Sequence, residues 1–306
     1  MASRDIVFIL GPGGAGTSAL TRVLSLCGCA LPHAIMGADE SHPKGYWEPL
    51  DALRMNDDFL FQHGTTYFDP SMYLEEEVSF KESEREKYVG QIGAFLCGCP
   101  TATVIVIKEP RITALFAFWS EAARRNSFSI KAVIATRHPG EVSASEARYG
   151  IAAELAAAMW LKHSLLAERH SRDIPRLVVE YSNLMRNWRV EVARISKSLS
   201  VDLRACNEIA VDGFLSRDLY RMKCSDPVSD IFGCRWTPRA YAILSEAAKD
   251  RSIDADAMDE IYRSYAACAR TFRVSVDEYR SKFDARLVRE GTSNVDPPRW
   301  ELGRDF

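Results

Sequence analysis

The chain has 306 residues, 47% of them hydrophobic and 26% charged, with a formal net charge of −3. This composition belongs to a globular protein able to bury a sizeable core, and its near-neutral charge offers no footprint for a nucleic-acid partner. No apolar run approaches the ~18 residues a membrane span requires, and the first residues carry no signal-peptide pattern, so a cytoplasmic location is the default expectation.

The first element is Ile6-Val7-Phe8-Ile9-Leu10, a continuous apolar run ending in glycines, as expected of a strand buried on both faces of a parallel sheet. Short runs of the same kind recur at Val104–Ile107, Ala132–Ala135 and Leu177–Val179. Helix-period segments alternate with them: Thr17 to Leu26, Ser83 to Leu96, Ala114 to Arg125, and Gly140 to Arg169 with a break near Gly150. Strands alternating with helices predict an α/β fold with a parallel sheet covered by helices. After Tyr181 the strand signal fades. Ser182 caps a predicted helix to about Leu199, Thr237-Pro238 reads as the N-cap and first residue of another, and Asp254–Arg270 and Val276–Arg289 read as two more. The expectation is one domain, with a nucleotide-binding α/β core over 1–187 and a mostly helical extension over 188–306. Beyond Gly291 the tail reads as an extended cover, and Glu75-Glu76-Glu77 as a solvated helix start.

Eight cysteines without an export signal read as reduced thiols. Leu-Cys-Gly-Cys occurs twice, at Cys27/Cys29 and Cys97/Cys99, but zinc spacings are absent, and small buried thiols near helix ends are the expectation. The histidines, His33, His42, His63, His138, His163 and His170, show no metal spacing either.

Directly after the first strand comes Gly11-Pro12-Gly13-Gly14-Ala15-Gly16-Thr17-Ser18, then a helix. Glycines let successive N–H groups converge on an anion, and the helix adds its positive end. Gly11 and Gly16 keep the Walker A spacing, yet Thr17 stands where a phosphoryl-transfer enzyme carries the lysine that grips its β- and γ-phosphates. A loop ending Gly-Thr-Ser suits a single 5′-phosphate held without metal. A second anion site is expected where the third strand ends in Thr136-Arg137-His138-Pro139, because ligands of open α/β sheets bind at the strands' C-terminal edge. Ser145 follows two helical turns later, and a guanidinium fork plus a hydroxyl suits a phosphate.

Two phosphate sites on one parallel sheet without a Walker lysine resemble the sulfotransferase family, over roughly Asp5 to Asn187. The resemblance implies that Gly13, Gly14, Ala15, Gly16, Thr17 and Ser18 hold the 5′-phosphosulfate of 3′-phosphoadenosine 5′-phosphosulfate (PAPS). It implies that Arg137 and Ser145 hold its 3′-phosphate. Val179-Glu180-Tyr181 is similar to the segment whose tyrosine lies near the adenine, while Gly45-Tyr46-Trp47-Glu48 and Lys108-Glu109-Pro110-Arg111 look like bacterial members acting on small molecules or glycolipids. The family implies about five parallel strands, PAPS as donor with 3′-phosphoadenosine 5′-phosphate (PAP) as product, and no metal. Its usual loop cation is absent here, because the aligned residue is Gly14, and Arg22 lies far down the helix.

Sulfuryl transfer needs a cation near the leaving oxygen and a base beside the acceptor. Lys108, closing the second strand, is the candidate cation and Glu48 the candidate base; the ordinary structural reading of both is a salt bridge. Arg111 faces either the reacting groups or a partner such as Glu109 or Glu48. Trp160, Lys162 and His163 read as helix core beside the acceptor pocket, and Tyr46 to Phe68 as an acceptor lid or a packed surface segment. The readings are therefore PAPS-dependent transfer to a hydroxyl of a small-molecule or glycolipid acceptor, a P-loop kinase-like phosphotransferase, or a non-catalytic phosphoadenosine nucleotide binder. The acceptor and the oligomeric state have no recognisable code in the sequence.

Overall fold

A computed structural model describes residues 4–40, 42–204, 207–215, 224 and 226–289. The tail beyond Gly291, read above as a cover, lies outside the described residues.

Four strands, β1 (Arg4–Leu10), β2 (Val104–Ile107), β3 (Phe128–Thr136) and β4 (Arg176–Glu180), form one parallel sheet in the order β2-β1-β3-β4. Every predicted apolar run is a strand, and the described sheet has four strands rather than about five. Alternation along the strands splits the core into two halves, because successive side chains leave opposite faces. Ile6, Phe8, Leu10, Ile105, Ile107 and Ile134 enter one hydrophobic cluster, and Val7, Ile9, Val104, Val106, Val133 and Val179 the other. Continuous apolar strands thus require helices on both sides.

Those helices come in chain order. After β1 follow α1 (Thr17–Leu26), α2 (Leu50–Gln62), the single turn α3 (Tyr73–Glu76) and α4 (Glu82–Cys97). After β2, a 3₁₀ turn (Pro110–Thr113) leads into α5 (Phe116–Arg125). Between β3 and β4 lie α6 (Pro139–Glu146), a 3₁₀ turn (Ala147–Tyr149) and α7 (Ala153–His170), the predicted break falling at Gly150. Then come α8 (Tyr181–Arg186), α9 (Trp188–Leu199), α10 (Glu208–Phe214), α11 (Trp236–Ala247) and α12 (Ala255–Arg289).

Several boundaries differ from the sequence reading for local reasons. The helix expected from Ser182 is two: Asn187 interrupts α8 and its side chain accepts from Val190 N–H, capping α9. Thr237 and Pro238 lie within the first turn of α11, whose N-cap is Arg235 in a left-handed conformation. The two C-terminal helices are the single α12, since nothing between Arg270 and Val276 breaks a helix. The Glu75–Glu77 trio is not merely solvated. Glu75 pairs with His170 at 3.2 Å, Glu76 accepts from the Tyr262 hydroxyl at 2.6 Å, and Glu77 pairs with Arg273, so α3 is pinned to α7 and α12. Cys27, Cys29 and Cys99 are buried as expected, but Cys97 is exposed.

Strand order positions the site. The chain leaves β1 toward β2 and leaves β3 toward β4 on the opposite side, although β1 and β3 are neighbours paired through Leu10 and Ile134. A crevice opens where consecutive connections diverge in this way. The glycine loop after β1 and the Arg137 turn after β3 are its two lips.

Candidate active site

The glycine loop begins at the end of β1 and closes into α1. Gly16 has φ +86° and caps α1 with no side-chain hydrogen bond. The ring of Tyr181, at the start of α8, packs where a side chain on Gly16 would stand: a Cβ there would overlap Tyr181 Cδ2 and lie 2.9 Å from Cε2 and Cγ. Only glycine satisfies both constraints. Among the described residues, the amide N–H groups of Gly13, Gly14, Gly16, Thr17 and Ser18 have no hydrogen-bond partner. Five free donors at one loop, with the positive end of a ten-residue helix behind them, form an anion-binding concavity.

Two cations reach this loop from neighbouring strands. Lys108, directly after β2, is 3% exposed, and its Nζ donates to Ser18 Oγ at 3.0 Å, to the Tyr46 carbonyl at 3.2 Å, and to Glu48 Oε1. All three ammonium protons are accounted for, and the partner carboxylate is buried beside them. The structural reading of Lys108 as one half of a salt bridge holds, with Glu48 as its partner, and the same contacts bring both groups to the loop. Glu48 Oε2 makes no hydrogen bond among the described residues.

Glu48 reaches this position through a detour between α1 and α2. Residues 34–36 run antiparallel to 47–50, with Met36 N–H donating to the Glu48 carbonyl at 2.7 Å and Leu50 N–H to Ala34 at 3.0 Å. Trp47 has φ +60°, a conformation rarely adopted by a bulky residue. Its ring receives the Arg22 guanidinium at 4.3 Å, so Arg22 serves the detour and not the loop. His42 lies between the rings of Tyr46 and Tyr149, at 3.8 and 5.1 Å, tying the detour to the turn after α6.

Arg137 arrives from β3. Its Nη1 donates to the Gly14 carbonyl at 3.1 Å, its Nε to Glu141 Oε2 at 2.8 Å, and its guanidinium lies 4.6 Å from the centre of the Tyr181 ring. The Arg137 carbonyl in turn accepts from the Trp160 indole at 3.0 Å, which gives that core tryptophan a positioning part. Nη2 has no protein partner among the described residues. Gly14 brings no charge of its own, yet a guanidinium docks on its carbonyl from the neighbouring strand. Ser145 stands two turns along α6 and makes no hydrogen bond to Arg137 or the loop among the described residues; its Oγ accepts from Arg148 Nη2 at 3.0 Å. Burial raises the Tyr181 hydroxyl pKa, with Arg137 opposing and Glu141 assisting that shift.

Arg111 pairs with Glu109, a partner the sequence offered, and with Asp57, and its guanidinium lies 5.2 Å from the centre of the Tyr67 ring. Glu109 is fully buried, and its pKa is pushed up to about 7 by burial and, less strongly, by Glu48, with Arg111 opposing. Asn56 donates to Glu109 and accepts from the Tyr88 hydroxyl at 2.6 Å and the Trp119 indole at 3.0 Å, so this network braces the end of β2 against α2, α4 and α5. Lys162 and His163 are buried in α7. Lys162 donates to the Asp69 carbonyl at 2.6 Å, and burial lowers the His163 pKa to about 3, with Lys162 reinforcing the shift.

The segment from Tyr46 to Phe68 divides. Its middle is α2, with Phe59 stacked on Tyr88 at 3.9 Å, so that part is packed core and not a lid. Besides Glu48 at its start, Tyr67 near its end reaches the glycine loop, its hydroxyl 2.7 Å from where a Cβ on Gly13 would be. Glu146 and Arg148, both near the loop or Ser145, carried no sequence signal, because their importance depends on how α6 lies across the crevice.

No family model and no curated protein sequence matches this chain. Among solved structures, the sulfotransferase domain from the Synechococcus PCC 7002 olefin synthase is similar at 17% identity. The match covers 80% of this chain and 96% of that one, with a TM-score of 0.46.

Proposed function

We propose that this protein transfers a sulfuryl group from PAPS to a hydroxyl of a small-molecule acceptor. The observation that carries the reading is the glycine loop itself: five unpartnered amide N–H groups among the described residues, flanked by Lys108 and Arg137, with no lysine at position 17. The donor set fits a doubly phosphorylated nucleotide. The loop amides and Ser18 would hold the 5′-phosphosulfate, Arg137 Nη2 together with Ser145 the 3′-phosphate, and Tyr181 would lie beside the adenine. Arg148, which already donates to Ser145, adds a second cation to that end.

In such a transfer the acceptor oxygen forms a bond to sulfur as the bond from sulfur to the bridging phosphate oxygen breaks. The electron pair remains on that bridging oxygen, and the acceptor's proton leaves to a base. Lys108 meets the charge that develops on the bridging oxygen, and Glu48 Oε2 accepts the proton. Its other oxygen is held by Lys108, so base and cation are oriented by one buried contact.

The test is a thermal-unfolding titration with PAP in the absence of Mg²⁺. At ~100 times Kd the linkage gain is ~2.7 kcal/mol, visible as a raised midpoint. Transfer of labelled sulfate from PAPS to an acceptor panel, read by mass spectrometry, then separates an enzyme from a nucleotide binder. Stabilisation by ATP with Mg²⁺ and none by PAP would overturn the reading.

A further inference from the structure

Beside the loop, Pro12, Gly13, Tyr67, Val142, Glu146 and Trp160 line a narrow cavity. Exposed Phe68 stands at its edge. The carboxylate on this wall is conspicuous for what it lacks. The Glu146 carboxylate makes no hydrogen bond or ion pair among the described residues, although its Oε1 lies 2.9 Å from where a Cβ on Gly14 would stand and 3.8 Å from one on Gly13. Arg148 is close enough to favour its charged form, but that guanidinium is turned to the Ser145 carbonyl at 3.3 Å and to its hydroxyl at 3.0 Å. Burial raises the Glu146 pKa and Arg148 opposes the rise.

Gly14 therefore has two consequences. It removes a loop side chain, and it leaves room for an uncompensated carboxylate next to amides that gather an anion. A bound anion and this carboxylate repel each other unless a positive group stands near both. The cavity has a volume of about 10 Å³, room for one group the size of a water molecule. Its other walls are apolar or aromatic, with Ile151, Ala156 and Met159 beside Trp160 and with Tyr67, whose ring already receives the Arg111 guanidinium at 5.2 Å, so Glu146 is the charged side chain among its lining residues. A metal ion suits the place poorly, because one carboxylate and a phenol fall short of the oxygen set that Mg²⁺ or Ca²⁺ requires. Tyr67 also links this cavity to the reacting groups: burial above all disfavours ionisation of its hydroxyl, Glu146 and more weakly Glu48 add to that, and Arg111 opposes it.

We propose that Glu146 receives the primary ammonium group of an amino alcohol acceptor, so that the acceptor brings the positive charge that Gly14 omits. The inference rests on the transfer reading above. With its ammonium at Glu146, the acceptor extends past Tyr67 and presents its hydroxyl to Glu48. The restricted cavity selects a primary ammonium over a trimethylated one, and the unpaired carboxylate selects it over an amide.

The experiment uses the intact protein saturated with PAP, titrated calorimetrically with ethanolamine, N-acetylethanolamine, choline and Mg²⁺. PAP binding is measured first, so its failure counts against the transfer reading and takes this inference with it. Given bound PAP, ethanolamine is expected to bind about tenfold or more tightly than its N-acetyl derivative or choline. Glu146→Gln should lose that preference. Without any amine, the same variant should bind PAP as well as the wild type or better, because a repelling charge is gone. Absence of ethanolamine binding, equal binding of the three probes, a preference that survives in Glu146→Gln, or Glu146-dependent Mg²⁺ binding would each overturn the proposal.

Discussion

Replacing Gly16 with alanine tests the geometry of the loop before any ligand is considered. With φ at +86°, an L-residue pays ~1–2 kcal/mol for the left-handed conformation. The added Cβ would overlap Tyr181 Cδ2 and press on Cε2 and Cγ at 2.9 Å, an overpacking that costs ~1–3 kcal/mol because the ring is buried and wedged beside Arg137. Gly16→Ala is therefore expected to destabilise the protein by about 2–5 kcal/mol in urea unfolding. The two contributions separate in a Tyr181→Ala background, where only the backbone part remains and the cost of Gly16→Ala falls to ~1–2 kcal/mol. The same displacement of loop and ring should weaken PAP. An equal cost in both backgrounds, or a cost well under 1 kcal/mol in the wild type, would refute the packing of Tyr181 on the loop.

Arg137→Ala should weaken nucleotides carrying a 3′-phosphate by ~1.5–3 kcal/mol and spare adenosine 5′-phosphosulfate, as read by competitive binding. Lys108→Ala should cost ~3–5 kcal/mol of stability by leaving Glu48 buried and unpaired, and the Lys108→Ala/Glu48→Gln double variant should recover much of it; additive costs would deny the pair. Glu48→Gln should lower turnover by ~10²–10⁴-fold with PAP affinity retained, and unchanged turnover across pH would leave the residue a structural part only. His163 refuses a proton in the native state until about pH 3, while the unfolded chain takes one up near 6.5. Stability attributable to it is complete above 6.5 and lost as pH falls, by about 2 kcal/mol between pH 7 and 5. His163→Gln should lose less than the wild type over that interval, and parallel losses would refute the assignment.

The four apolar runs and the glycines after the first were legible as strands and loop because strand burial and backbone anion binding are local properties. Their signal needs only a few consecutive residues. The same holds for Arg137 and Lys108, whose place at strand ends follows once the strands are recognised. Helix boundaries after Tyr181 were less legible, since Ser182 resembles a cap but lies inside α8, and it is Asn187 whose side chain caps the next helix. Pairing lay beyond the sequence altogether. Glu48 stands 60 residues from Lys108, Gly14 123 from Arg137, and Glu75 95 from His170, so only the folded chain could say which of many acids met which base. Glu146 shows the limit most clearly. One residue past Ser145 in a helix, it looks like any solvated glutamate until α6 crosses the loop and Gly14, having no side chain, leaves its carboxylate at the anion site. Sequence periodicity determined the sheet and its glycine lip. Strand order, which sends the chain from β1 and β3 in opposite directions, decided which charges would face each other across the crevice.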